Sequence, residues 1–160
     1  MKTTILTSKQ ADRVKSLELT TTALQQGQIV GLPTETVYGL AADATNIDAL
    51  LQLFKLKARP KTHAFSVHIL KTDLARWTKD IPAKAQILID TFWPGPLTLI
   101  LPKADHVNTT LTGGRDKIGV RCPDHAVFQA ILKASGLGLA CTSANRHGGQ
   151  SATNTKQHLT

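Results

Sequence analysis

Short apolar runs of strand length alternate with amphipathic segments of helical period along this 160-residue chain. Glycine or proline ends most of these runs, and we find neither an internal repeat nor a low-complexity linker. This alternation is typical of α/β folds, in which helices cover a sheet. A chain of this length can bury roughly two thirds of its unfolded surface in one core. We therefore expect a single domain spanning residues 1–160.

Four segments have the apolar spacing of a helix. They are residues 12–26, 47–57, 85–92 and 124–135. Residues typical of helix ends flank them: Asn46 is a good N-terminal cap, Pro82 suits a first turn, and Gly27 and Gly136 can end a helix. The pattern therefore predicts four helices.

Five apolar runs predict strands. They are residues 29–32, 65–69, 97–101, 118–121 and 138–142. The first reads as a buried strand that ends at Pro33. In the second, apolar residues alternate with Ser66 and His68, which predicts one apolar face and one polar face that carries His68. Several strands open at their C-terminal ends into polar loops, where α/β sheets place ligands.

The overall charge suits a polyanionic partner. The chain has 19 basic and 11 acidic residues, a net charge of +8, which is compatible with nucleotide phosphates or RNA. Cys122 and Cys141 are too far apart for a CxxC motif, and we expect both to be buried and reduced. No run approaches the ~20 apolar residues of a membrane span. We therefore expect a cytoplasmic protein with no membrane partner.

The loop after the first predicted strand combines two hydroxyls with a carboxylate. Thr34, Glu35 and Thr36 lie within Pro33–Leu40 and could orient a small polar substrate by hydrogen bonds. The alternative is an ordinary capped turn that starts a short helix. Local chemistry alone leaves both interpretations open.

A cationic cluster follows the second predicted helix. Residues 55–61, KLKARPK, contain Lys55, Lys57, Arg59 and Lys61. Such a cluster could neutralise a triphosphate, with lysine as a point charge and arginine as a bidentate clamp. It could equally complement the dipole at the C-terminal end of a helix.

The segment 141–153 follows the last predicted strand and is rich in small hydroxyl residues and glycine. It could present N–H groups and hydroxyls to a phosphate, or it could be a solvated loop, and it matches neither a P-loop nor a Rossmann turn. Ser143 and His147 do not form a nucleophile elbow, because GxSxG is absent. His63 and His68 straddle a loop and a strand, so we expect no protein ligand to a metal.

Five blocks of sequence, taken in order, resemble the YrdC-like threonylcarbamoyl-adenylate synthases, and most closely their short, single-domain bacterial type. The blocks are GLPTETVYGLAADA, KARPKTHAFSVHIL, FWPGPLTLILP, GVRCP and TSANRHGGQSATN. The resemblance implies an α/β fold around a strongly twisted mixed sheet, flanked by helices and with a large basic concave surface.

The resemblance also implies residue roles. It associates L-threonine with Thr36, His68, Arg121 and Ser143. It associates ATP with Lys57, Arg59, His63, Asn145 and Thr153. The threonine amine and bicarbonate would form a carbamate, whose oxygen attacks the α-phosphorus of ATP and expels pyrophosphate, with Mg²⁺ on the phosphates. No protein nucleophile is needed, and Lys57 and Arg59 would act catalytically by facing the charge that develops on the phosphates.

The resemblance predicts a place in tRNA modification, with the product passed to downstream threonylcarbamoyl transferase proteins and with tRNA or double-stranded RNA as a further partner. Family members continue into a Ser-Thr-Val strand and a later arginine, whereas this chain ends at Thr160, so we expect that closing segment to be absent. Two alternatives stay open. One is a paralogue acting on another carbamoyl acceptor, and the other is a non-catalytic RNA-binding module.

Overall fold

A six-stranded sheet forms the centre of the computed structural model, which describes residues 4–6 and 13–145. The strands are β1 (Val30–Leu32), β2 (Gly39–Asp43), β3 (Ser66–His68), β4 (Thr98–Pro102), β5 (Lys117–Arg121) and β6 (Leu139–Ser143). They are hydrogen-bonded in the order β1-β2-β6-β3-β5-β4. β3 and β5 are parallel and the other neighbouring pairs are antiparallel. The twisted mixed sheet implied by the resemblance is confirmed.

The predicted helices are all present, with ends shifted by one or two residues. The helices are α1 (Arg13–Gln25), α2 (Ile47–Leu56), α3 (Ala83–Phe92), α4 (Thr109–Thr112) and α5 (Ala126–Ser135), and a 3₁₀ helix spans Lys71–Arg76. The 3₁₀ helix and the one-turn α4 were not predicted. Within the described ranges, no helix is both long enough and apolar enough to cross a membrane.

Helix ends follow the local sequence signals. The side chain of Asn46 accepts a hydrogen bond from the backbone N–H of Ala49 at 3.1 Å, as an N-terminal cap should. Gly27 and Gly136 follow α1 and α5 with φ angles of 74° and 67°. These left-handed values favour glycine, because a side chain there is strained.

Helices cover both faces of the sheet, and each face has its own apolar cluster. On one face, α1 and α5 contribute Leu24, Phe128 and Leu132 to a cluster that also contains Cys141 of β6. On the other face, α2 and α3 pack onto a larger cluster that includes Leu53. Burial of apolar side chains on both faces is the main stabilising contribution in such a layered arrangement.

β3 has the predicted alternation, but its polar face is not open to solvent at His68. His68 does point away from Val67, but it is only 6% exposed. Phe128 of α5 lies over it, with 5.4 Å between the ring centroids. His68 is therefore covered, because α5 supplies an apolar side chain that the sequence of β3 alone does not reveal, whereas Ser66 stays partly exposed.

β1 is an edge strand and not the buried strand predicted from residues 29–32. It pairs with β2 alone in the strand order, and of its three residues only Leu32 is buried. The neighbouring β2 was not predicted. The cysteine prediction is confirmed: Cys122 and Cys141 are free and buried, and burial raises the pKa of both thiols, so both are poor nucleophiles.

Candidate functional site

The register of the sheet brings three of the four residues associated with threonine onto one face. His68 of β3 pairs with Arg121 of β5, and Ser66 pairs with Cys141 of β6. Side chains of directly paired residues share a face, and so do residues two apart in one strand. His68, Arg121 and Ser143 therefore lie on the face of the sheet that α5 partly covers.

The loop between β1 and β2 is folded by the hydroxyl of Thr34. This oxygen accepts hydrogen bonds from the backbone N–H groups of Thr36 and Val37, each at 3.2 Å. It also donates to the carbonyl oxygen of Val37 at 2.7 Å. These bonds form a compact turn, and the chain then enters β2. The interpretation of this segment as the start of a short helix is wrong.

Arg121 connects this loop to the sheet. Its Nη2 donates to Glu35 Oε1 at 2.7 Å and to Thr36 Oγ1 at 3.1 Å. The Arg121 and Glu35 side chains are 13% and 18% exposed. Burial raises the pKa of Glu35, but the hydrogen bond from Arg121, two backbone N–H groups and the Arg121 charge outweigh it and hold that pKa below its usual range. The carboxylate and the guanidinium therefore form a stable, partly shielded ion pair.

Glu35 belongs to the candidate loop recognised in the sequence, but the family resemblance assigned it no role. Its partner lies 86 positions away in the chain, so no local pattern could pair them. The only available signal was the presence of a carboxylate between two hydroxyls in a loop at a strand end.

His68, on the same face of the sheet, is uncharged at neutral pH. Burial, and then the nearby Arg121 charge, lower its pKa to about 3. Its Nε2 lies 3.4 Å from Ser66 Oγ, and its Nδ1 is buried without a hydrogen-bond partner among the described residues. At neutral pH the ring can donate or accept a hydrogen bond, but it cannot offer a positive charge to a carboxylate.

Lys57, just beyond α2, reaches the loop that follows β6. Its Nζ donates to the carbonyl oxygen of Ser143 at 2.8 Å and to Asn145 Oδ1 at 2.9 Å, and also to the backbone carbonyl oxygen of Asn145. The hydroxyl of Ser143 donates to the same Oδ1 at 2.6 Å. Burial, and then the charge of Arg59, lower the pKa of Lys57. This ammonium group thus holds residues 143–145, the described start of the predicted phosphate loop.

The two loops are also joined directly. The backbone N–H of Ala144 donates to the carbonyl oxygen of Tyr38 at 2.8 Å. The PTET, KxR and SxN blocks, which are far apart in the sequence, therefore meet in one region. This region contains Thr36, Lys57, Ser143 and Asn145.

The side chains of the cationic cluster point toward two different parts of the surface. Whereas Lys57 is 5% exposed and turns toward the SxN loop, Lys55, Arg59 and Lys61 line a surface depression of about 390 Å³. The guanidinium of Arg59 lies over the ring of Phe65, 5.5 Å from its centroid, a cation–π geometry. Arg59 is still near enough for its charge to lower the pKa of Lys57.

The resemblance also associates His63 and Thr153 with ATP. His63 is exposed, and its backbone N–H donates to the carbonyl oxygen of Pro60 at 3.0 Å, which closes a turn after the cationic cluster. Thr153 lies outside the described residues. Among the described residues, no group of three His, Cys, Asp or Glu side chains could hold a metal ion.

Residues 22–160 match the model of the Sua5, YciO and YrdC family, which is described as telomere recombination. The chain belongs to this family. The chain is 42% identical over 132 residues to a threonylcarbamoyl-AMP synthase of Bacillus subtilis, covering 81% of this chain and 38% of the relative. It is 40% identical over 131 residues to the enzyme of that name from Pyrococcus abyssi, with coverage of 81% and 38%. The chain thus spans about 38% of the length of these two relatives.

A solved structure of this Sua5, YciO and YrdC family has the same fold. It is P. abyssi Sua5 complexed with L-threonine, which superposes with a TM-score of 0.88 at 36% identity and covers 91% of this chain and 43% of that chain. The family resemblance found in the sequence is therefore confirmed, as is the fold it implies.

Proposed function

We propose that this chain forms threonylcarbamoyl-AMP and pyrophosphate from L-threonine, bicarbonate and ATP. The observation that carries the proposal is the meeting of the PTET, KxR and SxN blocks in one region, with Arg121 at its edge bonded to Thr36. The proposal is supported by relatives named threonylcarbamoyl-AMP synthase and by a solved relative that binds L-threonine.

The reaction needs positioning more than it needs a protein nucleophile. The threonine amine and bicarbonate condense to a carbamate with loss of water. A carbamate oxygen then attacks the α-phosphorus of ATP, and pyrophosphate leaves. Alignment of two polar reactants, together with fixed charges facing the phosphates, can supply most of the rate enhancement in such a step.

Threonine occupies the sheet face in this proposal. Arg121 pairs with the threonine carboxylate. Its guanidinium lies at the end of β5, and within residues 13–145 only Nη2 donates hydrogen bonds, so the other N–H groups are left for the substrate. Thr36 and Ser143 supply hydroxyls for orientation. His68 serves as a neutral hydrogen-bonding group, since its pKa of about 3 keeps it uncharged.

ATP occupies the region around the SxN loop and the cationic cluster. Asn145, held by Lys57, and the charges of Lys57 and Arg59 face the phosphates, while His63 and Thr153 are the remaining members of this proposed set. Mg²⁺ accompanies the phosphates, without a protein ligand assigned to it. The product feeds tRNA modification through threonylcarbamoyl transferase proteins in the cytoplasm, with tRNA as a further partner.

Formation of pyrophosphate and AMP tests the proposal directly. The purified chain is supplied with ATP, Mg²⁺, L-threonine and bicarbonate, and threonine and bicarbonate are each omitted in turn. Pyrophosphate release should require both. Release that is unaffected by omitting bicarbonate would contradict the carbamate mechanism, and release with other amino acids in place of threonine would favour the paralogue.

A further inference from the structure

The ion pair between Glu35 and Arg121 leaves a polar atom unsatisfied on each partner. Glu35 Oε1 accepts from Arg121 Nη2 at 2.7 Å. Glu35 Oε2 and Arg121 Nε are buried and have no hydrogen-bond partner among the described residues. Buried polar atoms are almost always hydrogen-bonded, because an unmade bond is costly. The backbone N–H groups of Glu35 and Asp124 help to lower the pKa of this carboxylate, but neither makes a hydrogen bond to Oε2. The pair thus has an acceptor on Glu35 and a donor on Arg121 to spare.

The two side chains are partly open to solvent, although Glu35 Oε2 and Arg121 Nε themselves are buried. The Arg121 and Glu35 side chains keep 13% and 18% of their surface exposed, and Thr36 is bonded to the same Nη2. A guanidinium carries five N–H donors, so donors remain on Arg121 for an added carboxylate. The terminal torsion of a glutamate is broad, so the carboxylate can rotate as a unit and present an oxygen to a ligand, which also shifts Oε1 relative to Arg121 Nη2.

A plain carboxylate suits this pair poorly. Once bound to Arg121, it would lie beside the carboxylate of Glu35, and two like charges in a partly shielded site repel each other. An α-amino acid avoids this repulsion, because its ammonium group is two bonds from its carboxylate carbon. The carboxylate can then pair with Arg121 while the ammonium group pairs with Glu35.

We propose that Glu35 binds the α-ammonium group of the substrate and so makes the Arg121 site select an amino acid over the same acid without its amine. The inference rests on the proposed function, which gives the carboxylate of threonine to Arg121. Glu35 acts here in binding and not as a base, since its lowered pKa makes it a weak proton acceptor. Repulsion of the wrong ligand contributes to the selectivity as much as attraction of the right one.

Isothermal titration calorimetry with two ligands tests this. The first is L-threonine and the second is (3R)-3-hydroxybutanoate, which is threonine without its amine. Glu35→Gln should weaken threonine binding by about 10- to 100-fold, the loss expected for a hydrogen bond to a charged group, and should strengthen binding of the hydroxy acid. Glu18→Gln, the same charge change at an exposed position of α1, should leave both affinities unchanged.

A variant that keeps the charge separates selectivity from general damage to the loop. Glu35→Asp should still prefer threonine to the hydroxy acid, whereas Glu35→Gln should lose much of that preference. Tighter threonine binding in Glu35→Gln, or the same preference in both variants, would overturn the inference while the proposed function stands. No threonine binding by the unmodified chain would overturn the proposed function and this inference with it.

Discussion

Lys57 donates to both the backbone and the side-chain carbonyl oxygens of Asn145, a residue 88 positions later in the chain. With its third bond, to the carbonyl oxygen of Ser143, the ammonium group uses all three of its N–H donors. Lys57 therefore shapes the SxN loop as well as placing a charge there. Its lowered pKa, caused first by burial, agrees with an ammonium group held largely away from solvent.

Replacing Lys57 by methionine should lower the free energy of unfolding by about 1.5–3 kcal/mol. Methionine keeps much of the apolar stem but removes hydrogen bonds made by a charged donor, which contribute about this amount. Urea denaturation of the variant measures the loss. Lys133→Met, at an exposed position of α5, is the matched control and should change stability by less than about 0.5 kcal/mol. Equal effects of the two substitutions would show that the bonds to the loop contribute little.

Replacing Arg121 by alanine should weaken threonine binding by about 2–4 kcal/mol. The variant removes the charge-assisted partner of the substrate carboxylate and leaves Glu35 as an unpaired, partly buried carboxylate. Titration calorimetry measures the loss, and Arg76→Ala, on the exposed end of the 3₁₀ helix, is the control. Unchanged threonine affinity in Arg121→Ala would remove this residue from the site.

Elements with strong local signals were predictable, and those made by distant pairing were not. α2 was predicted because Asn46 caps it and its apolar residues recur at helical spacing. β2 was missed because Gly39, Ala41 and Ala42 have low strand propensity. These residues form a strand since β1 and β6 pair with β2 on its two sides, and the pairing with β6 joins segments about 100 residues apart.

In the candidate site, too, local motifs were recognisable in the sequence and contacts between distant segments were not. Family motifs singled out Arg121 and Thr36, and these two side chains are hydrogen-bonded at 3.1 Å. They did not reveal that Glu35 holds the same guanidinium, because that pairing depends on how the loop after β1 turns back over the sheet. They also did not reveal that His68 is buried, since its surroundings come from Phe128 on α5.

The buried His68 should make stability depend on pH. Its pKa is about 3 in the folded chain and about 6.5 in an unfolded chain, so between these values the unfolded state binds the extra proton. The contribution of His68 to the free energy of unfolding is largest above about pH 6.5. It falls as the pH decreases, by up to about 1.4 kcal/mol per pH unit. Denaturation at several pH values from 7 to 4 should show this slope. It should flatten in His68→Gln and persist in His106→Gln, an exposed control; equal slopes in both variants would contradict the burial argument.

Gly138 should tolerate no side chain. A Cβ there would lie 2.2 Å from Cζ2 of the buried Trp77 ring, so Gly138→Ala should cost about 1–3 kcal/mol, as overpacking does. Thermal unfolding measures the loss. Gly114→Ala has open space around its Cβ but a φ of 82°, so it isolates the cost of backbone strain. A Gly138→Ala variant as stable as the unmodified chain would mean that Trp77 can move aside.

The sharpest test of the nucleotide assignment compares Lys57 with Lys61. Lys57 is 5% exposed and faces the SxN loop, whereas Lys61 is exposed in the surface depression. If Lys57 faces the phosphates of ATP in a shielded cleft, Lys57→Ala should reduce turnover by about 10²-fold or more and leave the salt dependence of RNA binding unchanged. Lys61→Ala should keep turnover within a few fold.

If RNA binds the basic surface, Lys61→Ala should reduce the slope of log affinity against log salt by about one unit. Both quantities are measured on the two variants and on Arg59→Ala, because the Arg59 side chain lies over Phe65 and lines the same surface depression as Lys61. A reduced salt slope with normal turnover in Lys57→Ala would contradict the nucleotide assignment of the KxR motif and favour an RNA-binding module.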